Sequence, residues 1–324
     1  MENKILDIDL EKDIKRLNLE VVKVIFKNEK KQRYTILVKQ GDELNILKWN
    51  NFNEENHLDL LKKEIMFYKE YQSEIFLPRL RLSESNLLLI EYIKGKTLRS
   101  SIIYYISCLK GQDHITQDFE ILIANLISTL KSFYSLEENN NLYDKETSKR
   151  ISDYFNSLLI SGPMDSSKIL ERNILRIIRR LLSRIINKKI QLYCKQLEEN
   201  DISFNSKVFH GDFHLNNLLI SDGGMKIIDW ENYDKGPLFI DISYCYAMIM
   251  FLLRDLPKHQ ELVKNKFNAF LCEYDPHLKK SFQDINRLFY LAISVNRSFG
   301  HQVPISYFLK KIFIFPFKLI NYSI

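Results

Sequence analysis

An α+β fold in two lobes is what this sequence predicts, on three observations. The stretch up to about Tyr92 alternates β-branched runs with charged turns, the pattern of a small antiparallel sheet. From residue 93 to residue 324 apolar residues recur mostly at helical spacing. One strand–turn–strand unit, inside 210–231, interrupts those helices. At 324 residues the chain is long enough for each lobe to carry its own core.

Taken in order, Val21–Phe26 and Tyr34–Val38 read as strands flanking the charged turn Lys27 to Arg33. Gln40-Gly41-Asp42 turns the chain into a third strand, Leu44–Trp49. A helix from about Asn56 to Tyr71 follows, with Leu60, Leu61, Ile65 and Tyr68 at helical period and Glu64 near its middle. Leu87–Ile93 is an apolar strand that turns at Lys94-Gly95-Lys96 into another helix. Farther on, Arg172, Arg176, Arg180, Arg184 and Lys188 recur every four residues beside an apolar stripe that includes Ile174, Ile178 and Ile185. That spacing predicts a helix with one basic face, either solvated or attracting an acidic partner.

The hairpin carries the chemistry. His210-Gly211-Asp212-Phe213-His214-Leu215-Asn216-Asn217 leads into it, and Asp229-Trp230-Glu231 leaves it. Leu218–Ile220 and Met225–Ile228 read as strands joined at Ser221-Asp222-Gly223-Gly224. Folded symmetrically, this hairpin sets Asn217 opposite Asp229, with Cβ atoms roughly 4.5–5.5 Å apart. An amide oxygen and a carboxylate at that separation are hard oxygen ligands of the kind Mg²⁺ accepts alongside phosphate oxygens. Asp212 is then free to receive the proton of an attacking hydroxyl, which completes a set for phosphoryl transfer. A rival chemistry uses the same residues, since His210-x-Asp212-x-His214 has the form of a metallohydrolase ligand triplet. It calls for further His or Asp clusters, and His57, His114, His259, His277 and His301 stand singly.

The Asp-x4-Asn spacing and the later strand-borne Asp are shared with protein kinases. However, His214 stands where they carry lysine, Asp229-Trp230-Glu231 replaces Asp-Phe-Gly, and only eleven residues separate Asp229 from Asp241. The segment instead resembles the aminoglycoside phosphotransferase and choline kinase family, protein-kinase-like enzymes that phosphorylate small molecules. The specific motifs occupy 210–241, and element order extends the resemblance over nearly the whole chain.

That resemblance implies a nucleotide-binding lobe at 1–92, a helical lobe at 93–324 with the hairpin at 210–231, and ATP with Mg²⁺ as phosphoryl donor. It assigns Lys48 to the nucleotide phosphates with Glu64 as its partner, and the backbone of Glu91, Tyr92 and Ile93 to adenine. Asp212 becomes the catalytic base, and Asn217 and Asp229 the metal ligands. His210 is expected to brace the loop from within the core and Asp241 to hold its backbone by hydrogen bonds. Trp230, Glu231 and Tyr233 are candidates for acceptor contact. The turn Lys27 to Arg33 lacks the glycines with which protein kinases cover the phosphates, so no amide there is assigned. A nucleotide-binding module without turnover is the alternative from another class. It would require the loss of Lys48, Asp212, Asn217 or Asp229, and all are present.

The acceptor is expected to be a hydroxyl of a small molecule or glycan intermediate. Residues 98–200, the acceptor wall in the family, carry fifteen Lys and Arg against twelve Asp and Glu. A polycationic aminoglycoside calls for the opposite excess, so a sugar-like acceptor ranks first, choline or ethanolamine second and an aminoglycoside third. The net charge of +6 is modest, and no aromatic-interleaved basic motif points to nucleic acid. The apolar run Ile242 to Leu253 is too short to span a bilayer. Residues 305–324, apolar and basic, suit a final packed helix or contact with a membrane surface. Cys108, Cys194, Cys245 and Cys272 lie singly in apolar helical patterns and read as reduced core thiols of a cytoplasmic protein.

Overall fold

The computed structural model describes residues 6–28, 32–51, 55–109, 114–136, 207–236 and 239–274, with Arg180, Arg184, Lys188 and Asn286 besides. Its first part is a five-stranded antiparallel sheet built from β1 (Glu20–Asn28), β2 (Arg33–Gln40), β3 (Glu43–Asn50), β4 (Leu80–Glu84) and β5 (Leu87–Glu91), in the order β1-β2-β3-β5-β4. Helix α1 (Ile8–Arg16) precedes it, and helix α2 (Glu55–Glu70) lies between β3 and β4.

Register explains how this sheet serves two cores. Tyr34 pairs with Trp49 and Ile36 with Leu47, so alternation directs these residues, with Val38, Leu87 and Leu89, to one face. There they pack with Leu10 and Ile14 of α1 into a small core. The sequence pattern does not announce α1, because only those two of its residues are buried. Asp7 caps it by accepting the Asp9 amide, and Asp13 fastens it by accepting the Trp49 indole at 2.9 Å. The opposite face, carrying Ile46, Lys48, Leu88 and Ile90, turns toward α2. Leu88 and Ile90 belong to the large core, which runs on through Leu61, Ile65 and Phe67 of α2 into the rest of the molecule.

β1 is an edge strand with two register irregularities, between Val21 and Lys23 and between Val24 and Phe26. The residues skipped, Val22 and Ile25, are 50% and 52% exposed.

Beyond β5 the short strand β6 (Lys96–Thr97) precedes helices α3 (Leu98–Cys108) and α4 (Gln117–Tyr134). Thr97 and Thr116 cap these helices, accepting the amides of Ser100 and Phe119. Strand β7 (Lys207–Phe209) pairs with β10 (Asp234–Gly236), and β8 (Leu218–Ser221) with β9 (Gly224–Ile227) and β6. Gly95, just before β6, lies against β8 so closely that a Cβ there would sit 2.2 Å from the Ile220 carbonyl oxygen. Helices α5 (Phe239–Leu252) and α6 (Pro257–Tyr274) follow, α5 being buried on most sides. No helix among the described residues is long and apolar enough to cross a membrane.

One expectation changes here. Cys245 is buried, but Cys108 and Cys272 are exposed, since the helical turn carries both to the water-facing side of α3 and α6. Of the basic run, Arg180, Arg184 and Lys188 are helical and exposed. The rest of that run, Cys194, His277, His301 and residues 305–324 lie outside the described residues.

Candidate active site

The loop between β7 and β8 is held from below. Gly211 adopts φ +78°, and a Cβ on it would lie 2.5 Å from the Asn232 carbonyl oxygen, so only glycine fits. The His210 amide donates to Asp241 at 2.6 Å. Both residues are fully buried, and burial pushes the Asp241 carboxyl well above its ordinary range. The His210 ring uses both nitrogens within the protein: Nε2 lies 2.9 Å from the Ile228 carbonyl, and Nδ1 accepts the Asp212 amide at 3.2 Å. One nitrogen must donate and the other accept, so the ring is neutral. Burial accordingly brings its pKa down to about 4. Neither nitrogen remains for a metal, which removes the hydrolase triplet.

The hairpin corrects one detail of the sequence reading. Leu218 pairs with Ile227 and Ser221 with Gly224, which places Asn217 opposite Ile228 and not Asp229. The Ile228 amide accordingly donates to the Asn217 carbonyl at 2.9 Å. Gly224, at φ +94°, joins β9 and shortens the loop to Asp222-Gly223, a one-residue shift in register. Asp229 then leaves the strand in the left-handed region, φ 69° and ψ 58°, a conformation uncommon for a residue with a side chain. Asn217 is buried, with its amide nitrogen donating to the Asp212 carbonyl at 2.9 Å.

Lys48 joins the two halves. Its ammonium lies 2.8 Å from both Glu64 oxygens and 2.7 Å from Asp229 Oδ1. Burial works against the ammonium, but Glu64 and Asp229 outweigh it and hold Lys48 charged. Burial also opposes ionisation of Asp229, yet Lys48 prevails and keeps that carboxyl below its ordinary value. The Trp230 amide donates to Glu64 at 3.2 Å. The Trp230 ring stacks on Phe67 of α2, with centroids 3.8 Å apart and planes at 14°. One helix face thus supplies both the carboxylate and the ring that position Lys48 and Asp229.

Asp212 is partly exposed, with Oδ2 3.5 Å from His214 Nε2. Burial raises its carboxyl to about 6; His214 acts against that shift, and Asp229 and Glu231 act with it.

The remaining candidates separate. Trp230 is fully buried among Phe67, Phe76, Phe133 and His210, so it cannot touch an acceptor as the sequence reading allowed. Glu231 is paired with Arg33, and Tyr233 packs against Phe67 with centroids 5.0 Å apart. At the end of β5 the amides of Glu91 and Tyr92 donate to the carbonyls of Arg79 and Leu44, at 2.9 and 3.1 Å. That leaves the Ile93 amide outside the ladder. Sequence reasoning missed Arg33 as a site residue. In the sequence it is one of four cations between 27 and 33, with Lys27, Lys30 and Lys31, and nothing in the pattern singles it out.

The fold is a two-lobed, kinase-like α+β architecture. Residues 59–262 match the model of the phosphotransferase enzyme family, and the chain belongs to that family. No curated protein matches the sequence. Among solved structures it is similar to an aminoglycoside phosphotransferase from Streptomyces rimosus, with a TM-score of 0.53 and 14% identity over 90% of this chain and 99% of that one. It is also similar to an ethanolamine kinase of Plasmodium vivax, TM-score 0.51 and 16% identity over 87% and 75% of the two chains. A choline kinase from Cryptosporidium parvum gives a TM-score of 0.51 and 15% identity over 91% and 88%. Identities this low establish likeness of fold.

Proposed function

We propose that this chain transfers the γ-phosphoryl group of ATP to a hydroxyl of a small molecule or glycan intermediate. The observation that carries the reading is the Lys48 bridge between Glu64 and Asp229, beside a carboxylate, Asp212, whose pKa is suited to accepting a proton. The nucleotide unit runs to Tyr92, with adenine against the segment at the end of β5, Glu91, Tyr92 and Ile93, and the Ile93 amide as donor. Lys48 then lies along the phosphates, oriented by Glu64.

Asn217 and Asp229 suit Mg²⁺. The Asn217 amide nitrogen is engaged by Asp212, which leaves the amide oxygen as the available ligand, and Asp229 is kept ionised. Among the described residues no group of three or more His, Cys, Asp and Glu is arranged for a metal. A cation here would therefore take its other ligands from phosphate and water, as Mg²⁺ commonly does. Bound there, it would neutralise charge on the β and γ phosphates. Asp212 accepts the proton of the acceptor hydroxyl as its oxygen bonds to the γ-phosphorus and the bond to ADP breaks. His210 and Asp241 touch no reactant in this reading and hold the loop in place.

For the acceptor we favour a sugar-like hydroxyl. Choline and ethanolamine, substrates named for two structural neighbours, want an aromatic or acidic cage. Trp230 is fully buried and cannot supply the aromatic wall of such a cage. An ATP-consumption screen of the purified protein over sugars, amino alcohols and aminoglycosides tests this. Asp212→Asn is expected to lower turnover of the best acceptor by several orders of magnitude with nucleotide affinity nearly unchanged. Retention of more than about a tenth of activity would show that Asp212 is not the base.

A further inference from the structure

Arg33 and Lys48 stand on the same face of the sheet. Thr35 pairs with Lys48, and Arg33, two residues before Thr35, pairs with Asn50. Directly paired residues and their neighbours two along share a face, so the two cations are diagonal neighbours, Cβ atoms roughly 7–8 Å apart. Their partners repeat that spacing, because Lys48 binds Asp229 and Arg33 binds Glu231, two residues on. Arg33 has a firm base: its strand pairs with Asn28 on one side and Asn50 on the other, and the Gln32 carbonyl accepts the Asn51 amide at 3.1 Å. The guanidinium reaches from the end of the β1–β2 hairpin to the segment that carries Asp229, and both members of the pair are mostly buried. A guanidinium offers a planar fork suited to a phosphate.

We propose that Arg33 is a phosphate-binding residue for the nucleoside triphosphate, and that Glu231 holds its guanidinium in position until the nucleotide arrives. This rests on the kinase reading above. Lys48 and Arg33 form a two-point cationic clamp, with Lys48 nearer the nucleoside and Arg33 over the terminal phosphates. On binding, the phosphate takes over the guanidinium from Glu231.

The test is equilibrium binding of ATP and of adenosine, both in EDTA, to wild type, Arg33→Ala, Arg33→Lys, Glu231→Gln and the double variant Arg33→Ala/Glu231→Gln. Arg33→Ala is expected to weaken ATP by roughly tenfold to a hundredfold while adenosine is unchanged. Arg33→Lys should recover part of the loss. Glu231→Gln should tighten ATP several-fold by releasing the guanidinium, and that gain should vanish in the double variant. ATP affinity indifferent to Arg33, with wild type binding normally, overturns the clamp and leaves the kinase reading intact. A gain from Glu231→Gln that persists without Arg33 also overturns it, since it reports simple removal of a negative charge. Failure of wild type to bind ATP with Mg²⁺ present as well as in EDTA sinks both readings.

Discussion

His210 and Asp212 are two residues apart, and the protein moves their proton affinities in opposite directions. His210 is fully buried and has a pKa of about 4, against 6.5 in water. Its folded value is depressed, so its contribution to stability is complete above about pH 6.5 and is lost as pH falls toward 4. By proton linkage the loss amounts to about 3 kcal/mol. Urea unfolding at pH 7 and pH 4.5 measures it, and His210→Gln should flatten the difference even though it is less stable at pH 7. Asp212 moves upward, to about 6. A base must be deprotonated to act, so kcat/KM should be level above that pH and fall about tenfold per unit below it. A flat profile from pH 5 to 8 would assign the base elsewhere. The grouping of these residues was legible in the sequence: spacing and element order single out Asp212, Asn217, Asp229 and Lys48, and the fold brings Lys48 to Asp229 and Asn217 to Asp212. Trp230 was misjudged because a sequence shows that an indole follows Asp229, but not that Phe67 lies 3.8 Å away to bury it.

At the scale of elements, α2 governs the site more than any strand does. Glu64 and Phe67 both sit on its inner face, one gripping Lys48 and the Trp230 amide, the other stacking on the Trp230 ring. Phe67→Ala should cost about 3–5 kcal/mol by leaving a cavity in the large core. It should also raise the KM for ATP, because Glu64 loses its fixed register with Asp229. Phe67→Leu, which keeps most of the volume, should retain near-normal KM; equal impairment by both variants would show that stacking itself is required. Backbone approach imposes a second element-scale constraint. Gly95→Ala must push β6 away from β8, whose Ile220 carbonyl would lie 2.2 Å from the new atom. A lowered Tm with lost nucleotide binding is expected, and an unchanged Tm would contradict the contact. The extent of β2, β3, β5 and α2 could be read from β-branched runs and helical period. The register of the β8–β9 hairpin could not, because Gly224 serves equally as loop or strand and one residue decides what faces Asn217.

Over the whole molecule, the sheet divides two cores of unequal size. The small one joins α1 to Tyr34, Ile36, Leu47 and Trp49, while the large one spans α2, β5 and the helices. Lys48 sits on the face that turns toward the large core, beside Leu88 and Ile90. Helix α1 was invisible to pattern reading because two buried residues in nine make a weak period, and its attachment depends on Asp13 reaching Trp49. Asp13→Ala should lower stability by about 1–3 kcal/mol, since it leaves the buried indole N–H unpaired. The same lobe ends in an exposed edge, and there the two irregularities of β1 acquire another meaning. A straight strand with Val22, Ile25 and Phe26 open to water would offer a template for a second chain to extend the sheet. Two bulges coil the strand and break its ladder at Val22 and Ile25, so no long row of regularly spaced amides faces outward. The irregularity that looks like poor pairing within one molecule therefore acts between molecules, as a barrier to fibre growth at high concentration.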